Sequence, residues 1–225
     1  MTEGDAGPLQ VRTFSGGPFA ENGYLLRCRE TGKGAVVDPG AAAEGMAAAI
    51  RDEEIPVQAV YLTHAHLDHV EGIPLIREVT DAPIWLHPDD RPLYDRAGDQ
   101  AAAFGLHLPG PLPEPDQELV PGSTVPVGQV EMEVRFAPGH APGHVIFYVP
   151  SAELALVGDV VFAGSIGRTD LPGGDFRQLM DSIRDQVLTL PDETRLLTGH
   201  GPETTVGRER RGNPFLAPSY GGELA

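Results

Sequence analysis

Short apolar runs dominate the chain, and their lengths and periods predict strands more often than helices. The first third reads as three strands, Leu9 to Phe14, Tyr24 to Cys28 and Ala35 to Val37, the last closed by the turn-forming Asp38-Pro39-Gly40. Ala41 to Glu53 is alanine-rich, with Met46 and Ile50 four apart, and predicts a helix that Pro56 stops. Val57 to Leu62 reads as a buried strand that delivers the chain to Thr63. A short helix over Val70 to Val79, a strand over Ile84 to His87 and a helix over Asp89 to Phe104 follow, with Pro74 and Pro92 acceptable only within a first turn. Leu108 to Pro115 carries four prolines and predicts an extended surface loop. Four further strands are expected at Val125 to Val127, Val130 to Phe136, Val145 to Val149 and Leu154 to Val157. An amphipathic helix from Phe176 to Leu188 and a strand from Arg195 to Leu197 complete the pattern. Two strand-rich halves, each with helices beside it and no linker between them, predict an α/β (α+β) fold. Its layering is αββα, in a single domain over 1–225.

Composition narrows the setting. Of 225 residues, 40% are hydrophobic, enough to bury a core, and no apolar run reaches the ~18 residues of a membrane span. The polar start, Met1 to Pro8, lacks the basic and apolar regions of a signal peptide, so a cytoplasmic location is the expectation. The net charge of −17 repels phosphate backbones and argues against nucleic-acid binding. With Lys33 the only lysine, that acid excess also suits a high-salt interior. Cys28, the single cysteine, lies in a strand and is expected to be a buried, inert thiol.

The chemistry concentrates at strand ends. Directly after the Val57 strand stands Thr63-His64-Ala65-His66-Leu67-Asp68-His69, three histidines and an aspartate within six residues. Imidazole nitrogen and carboxylate oxygen are ligands for zinc, iron or manganese, and an extended His-x-His points both rings the same way. Three more strand-end turns offer the same groups: His140 and His144 in Ala137 to His144, Asp159 after Leu156-Val157-Gly158, and His200 in Thr198-Gly199-His200. Each turn alone is weak evidence, but together they are how a site is assembled on loops held by a rigid sheet.

This set resembles the metallo-β-lactamase superfamily, whose His-x-His-x-Asp-His signature stands here as His64, His66, Asp68 and His69. The resemblance implies the four-layer αββα sandwich of the metallo-β-lactamase fold. It also implies two divalent metal ions as cofactors, zinc foremost, with iron or manganese also suited. His64, His66 and His140 would hold the first ion, Asp68, His69 and His200 the second, and Asp159 would bridge them. Asp68 would also orient the nucleophile. His144 would either support the ligands or face and bind substrate, with a merely structural role as the alternative, while His87 and His107 match no ligand position.

Within the superfamily, Phe162 to Asp175 and the tail from Gly199 through Asn213-Pro214-Phe215 look like glyoxalase II, specifically the short bacterial hydroxyacylglutathione hydrolases without a C-terminal helical domain. That likeness implies cleavage of a small-molecule hydroxyacyl thioester such as S-lactoylglutathione by water activated between the ions. Neither nucleic acid nor a membrane is expected as partner, and a homodimer is left open. Arg168, nine residues after Asp159, falls where longer glyoxalases carry a basic residue that contacts glutathione. It either binds a substrate carboxylate or pairs with Asp170 or Asp175. Arg208, Arg210 and Arg211 read as a solvated basic face. Persulfide dioxygenases, which resemble glyoxalase II and share the Gly167 to Asp170 stretch, are the main rival; a lactonase or other ester hydrolase is the second.

Overall fold

The computed structural model describes residues 2–216, with side chains from Gly7 onward. Seven strands form the first sheet in chain order: β1 Thr2–Ala6, β2 Leu9–Gly16, β3 Glu21–Cys28, β4 Gly34–Val37, β5 Val57–Tyr61, β6 Ile84–Leu86 and β7 Gln117–Glu118. Pairing is antiparallel from β1 to β4 and parallel from β4 to β7. The second half contributes β8 Thr124–Val127, β9 Val130–Phe136, β10 Val145–Val149 and β11 Leu154–Gly158. A two-stranded ribbon follows, β12 Val161–Phe162 with β13 Ser165–Ile166, and then β14 Arg195–Thr198 and β15 Thr204–Thr205. The second sheet has the order β15-β14-β11-β10-β9-β8, with β11 and β14 parallel.

Three separate apolar layers show how the sheets stack. Leu26, Tyr61, Val134 and Phe147 belong to the core between the sheets. Their chain neighbours point the other way, as strand alternation requires. Leu25 joins Met46, Ile50 and Ile76 under the helices outside the first sheet, and Ile146 joins Leu179 and Ile183 outside the second. The covering helices are α1 Ala43–Asp52, α2 Leu67–Val70, α3 Ile73–Arg77, α4 Arg91–Asp95 and α5 Ala97–Ala103 on one side. On the other are α6 Phe176–Ser182, continued by a wider π turn over Ile183–Val187, and α7 Val206–Gly212. The expected αββα sandwich is therefore present, and it explains why β4 and β11 are buried on both faces.

Two expected helices are broken. The segment read as Val70 to Val79 begins earlier, at Leu67, and divides at Gly72, whose N–H is taken by Pro39 O at 2.8 Å. His66 stays extended, so Asp68 and His69 open a new helical turn. The segment read as Asp89 to Phe104 divides into a 3₁₀ turn, Pro88–Asp90, followed by α4 and α5, with Pro92 in the first turn of α4 as required. The Leu108 to Pro115 loop has no regular structure, as expected. The elements missed, β1, β7, the β12–β13 ribbon, β15 and α7, are short or polar and carry little periodic signal. Among the described residues no helix is long and apolar enough to cross a membrane.

Candidate metal centre

Four strand ends meet at one edge of the sandwich. The loop after β5 presents His64 and His66, and α2 adds Asp68 and His69. The β9–β10 loop presents His140, the residue after β11 is Asp159, and the loop after β14 carries His200. All seven residues expected as ligands therefore converge. The donor atoms of His64, His66 and His140 lie within 4.8 Å of one another, and so do those of Asp68, His69 and His200. Asp159 stands between the two groups. Its Oδ2 is 3.4 Å from both His140 Nε2 and His200 Nε2, and its Oδ1 is 3.4 Å from His69 Nε2.

The donors fit divalent cations on their own evidence. His64 Nε2, His69 Nε2 and Asp159 Oδ1 are buried without a hydrogen-bond partner, the last two being close but poorly aligned. Unsatisfied buried polar atoms are costly, and this many facing one point indicate an ion. Electrostatics agree. Burial, reinforced by the neighbouring imidazoles, pushes His64 well below the usual histidine range and His66 down to about 3. Burial also lowers His140, so this group is neutral, the state a metal ligand needs. Burial works against the Asp159 charge, but the nearby imidazoles of His69, His200 and His140 outweigh it and hold its carboxyl well below normal. His200 is likewise disfavoured by burial, yet Asp159 and Asp68 raise it to about 10. The same carboxylates that draw a proton onto His200 would attract a divalent cation.

Four of the ligand imidazoles are oriented from behind. Asp38 accepts from Thr63 N at 2.7 Å and Thr63 Oγ1 at 2.6 Å, and lies 3.1 Å from His69 Nδ1. Thr63 Oγ1 is 3.1 Å from His64 Nδ1, His140 Nδ1 is 2.7 Å from Arg168 O, and His200 Nδ1 is 2.9 Å from Phe19 O. Asn22 Nδ2 donates to Thr198 O at 3.0 Å and Gly201 O at 2.8 Å, and Tyr24 donates to Thr198 O at 2.6 Å. Residues of the first sheet thus hold the His200 loop of the second. Gly199 is required there, since a Cβ would sit 2.0 Å from Asp159 Oδ1. The sequence reading missed Asp38, Asn22 and Asp90, taken as a turn former, a residue outside a strand and a helix start. Their one signal was a polar residue bordering a buried run.

The site opens into a cavity of about 320 Å³ lined by His66, Asp68, His140, Asp159 and His200, with Phe19, Phe104, Phe162, Ile166 and Leu171 as apolar walls. Two substrate contacts expected from sequence take other forms. His144 is fully buried and stacks on His64, and its Nε2 accepts from Asp159 N at 3.1 Å. It therefore props Asp159 rather than facing substrate, which corrects the substrate-binding assignment. Arg168 does line the cavity, but its guanidinium is held by Asp170 through two bonds of 2.7 and 2.8 Å. Away from the site, His107 is exposed, while His87 is buried and stacks on Phe136. Arg210 and Arg211 pair with Asp192 at the surface. Cys28 is buried as expected. Burial raises its thiol pKa, but hydrogen bonds from Thr31 and the Gln129 backbone bring it down to about 7.

A double-sheet αββα sandwich with paired His/Asp groups at its strand ends defines a metal-binding architecture. The chain belongs to the metallo-beta-lactamase superfamily, whose family model matches residues 16–200. It is 38% identical to hydroxyacylglutathione hydrolase GloC of Haemophilus influenzae over 81% of this chain and 86% of that one. It is 37% identical to the probable metallo-hydrolase YqgX of Bacillus subtilis over 92% of this chain and 98% of that one. Among solved structures it is similar to TTHA1623 in a di-iron-bound form, with 42% identity, a TM-score of 0.83 and coverage of 91% of this chain and 100% of the other.

Proposed function

We propose that this metallo-hydrolase cleaves hydroxyacyl thioesters of the S-lactoylglutathione type. The observation that carries the proposal is the completeness of both donor groups around Asp159 at the floor of an apolar-walled cavity. In this reading His64, His66 and His140 hold one divalent ion, Asp68, His69 and His200 hold the other, and Asp159 serves both. When bound, such ions supply an acidified water as nucleophile near neutral pH and polarise a carbonyl. The chain's own residues do the rest. Asp68, at the cavity floor and 3.2 Å from His200 Nε2, orients the attacking water by accepting its hydrogen bond. The rings of Phe19, Phe104 and Phe162 cover the acyl group and thin the water around it. A thiolate leaves readily, so the cavity needs no strong general acid.

Similarity to GloC supports the thioester reading, as does the Phe162 to Asp175 segment. The main alternative, a persulfide dioxygenase, uses one iron held by two histidines and a carboxylate. Such dioxygenases often retain the second donor group as well, and what favours the hydrolase is the Leu-Pro-Gly-Gly-Asp continuation from Leu171 to Asp175. A paired assay decides. Purified protein is given S-lactoylglutathione while thiol release is followed, then glutathione persulfide while oxygen uptake is followed. Thiol release is expected; oxygen uptake without thioester cleavage would overturn the proposal.

A further inference from the structure

Asp90 is fully buried at the end of the 3₁₀ turn that follows β6, and among the described residues no cation pairs with it. A buried carboxylate without a counter-charge is expensive, and burial is what lifts its pKa to about 6. Its two oxygens are used in a particular way. Oδ2 accepts from Ala65 N at 2.8 Å, between His64 and His66. Oδ1 accepts from Gly143 N at 2.5 Å, in the β9–β10 loop that carries His140. The first loop leaves the first sheet and the second belongs to the second sheet, so one carboxylate joins the two halves at the first donor group. Gly143 is fitted to the same contact, because a Cβ there would sit 2.6 Å from Asp90 N and 2.9 Å from Asp90 Cβ.

We infer that Asp90 is a positioning residue that sets the separation of the His64/His66 loop from the His140 loop and so preorganises the first metal group. This rests on the ligand assignment proposed above. The ions those loops would hold also supply the positive charge that Asp90 lacks. The second group is supported by Phe19 O and by Asp38, which also reaches His64 through Thr63, and among the described residues no Asp90 hydrogen bond reaches it.

The test uses full-length Asp90→Asn, Asp90→Ala and Gly143→Ala proteins, titrated with zinc against a competing chelator and with cobalt for its ligand-field spectrum. Losing an outer support of a ligand weakens metal binding by about 10–100-fold. The first ion is expected to weaken by that factor, most in Asp90→Ala, while the second changes by less than about threefold. Gly143→Ala, which keeps the carboxylate but wedges the contact, should shift the same ion. In metal-free protein, hydrogen exchange at Ala65 and Gly143 should accelerate at least tenfold in Asp90→Ala. Unchanged exchange there, or equal weakening of both ions, would overturn the inference. A His140→Ala protein that still binds the first ion normally would overturn the ligand assignment instead. The exchange measurement, which needs no metal, would still decide whether Asp90 joins the loops.

Discussion

Replacing Asn22 by Asp isolates the clamp that positions His200. The change is isosteric and leaves Asn22 N bonded to Gly199 O at 2.8 Å and Tyr24 bonded to Thr198 O. It removes both donors that Nδ2 gives to Thr198 O and Gly201 O, and sets acceptors against those carbonyls at a position only 5% exposed. Two lost hydrogen bonds cost about 2 kcal/mol, which is the expectation for Asn22→Ala. The aspartate costs more. Remaining ionised, it repels both carbonyls in a poorly solvated place. Taking a proton at pH 7 costs about 4 kcal/mol, roughly three pKa units at 1.36 kcal/mol each, and restores one of the two bonds. The expected loss is therefore about 3–5 kcal/mol, a fall in melting temperature on the order of 10 °C for a domain of this size. Because the buried aspartate would have a raised pKa, its deficit should shrink as pH falls from 7 to 5. Thermal melts of wild type, Asn22→Ala and Asn22→Asp at both pH values provide the assay. If Asn22→Asp melts within about 2 °C of wild type, or above Asn22→Ala, the clamp does not exist as described.

Other outcomes follow from the same geometry. His140→Ala should lose one ion and at least about 100-fold in activity, the upper end for disturbing a ligand, whereas exposed His107→Ala should change stability by no more than about 0.5 kcal/mol; metal content and melting check both. Arg168→Ala should raise KM less than about threefold, since Asp170 already occupies the fork and the pair is surface-exposed; a large rise in KM at constant kcat would restore the guanidinium as a substrate contact. The Asp90 carboxyl lies at about 6 in the folded protein against 3.8 as its ordinary value. A raised folded pKa means the native state binds the proton more tightly, so this contribution is complete below about pH 4 and lost as pH rises through 6. Urea unfolding of metal-free protein should therefore show Asp90→Asn more destabilising at pH 4.5 than at pH 7, by up to about 2 kcal/mol; the reverse trend refutes the assignment.

What the sequence made legible and what it hid divide along a physical line. A metal ion demands nitrogen or carboxylate ligands, so His64, His66, Asp68, His69, His140, Asp159 and His200 stood out by residue type at the ends of apolar runs. Two strand-rich halves, each with helices beside it, likewise pointed to the two-sheet sandwich. The layer behind the ligands obeys a looser rule. It needs one hydrogen-bonding atom in one place, and several residue types can supply it. Asp38 is read locally as a turn former, yet the parallel pairing of β4 and β5 sets its carboxylate beside Thr63. Asp90 opens a segment that looks helical, and only the meeting of two sheets brings Gly143 to it across 53 positions. Asn22 reaches Thr198 across 176 positions. His140 shows the limit most clearly, because its ring is oriented by a main-chain oxygen. The carbonyl of Arg168 gives His140 the kind of support that Asp38 gives His69, and a carbonyl is present at every residue. No residue type can therefore mark that support in a sequence, whereas a substitution that moves the backbone there should reveal it.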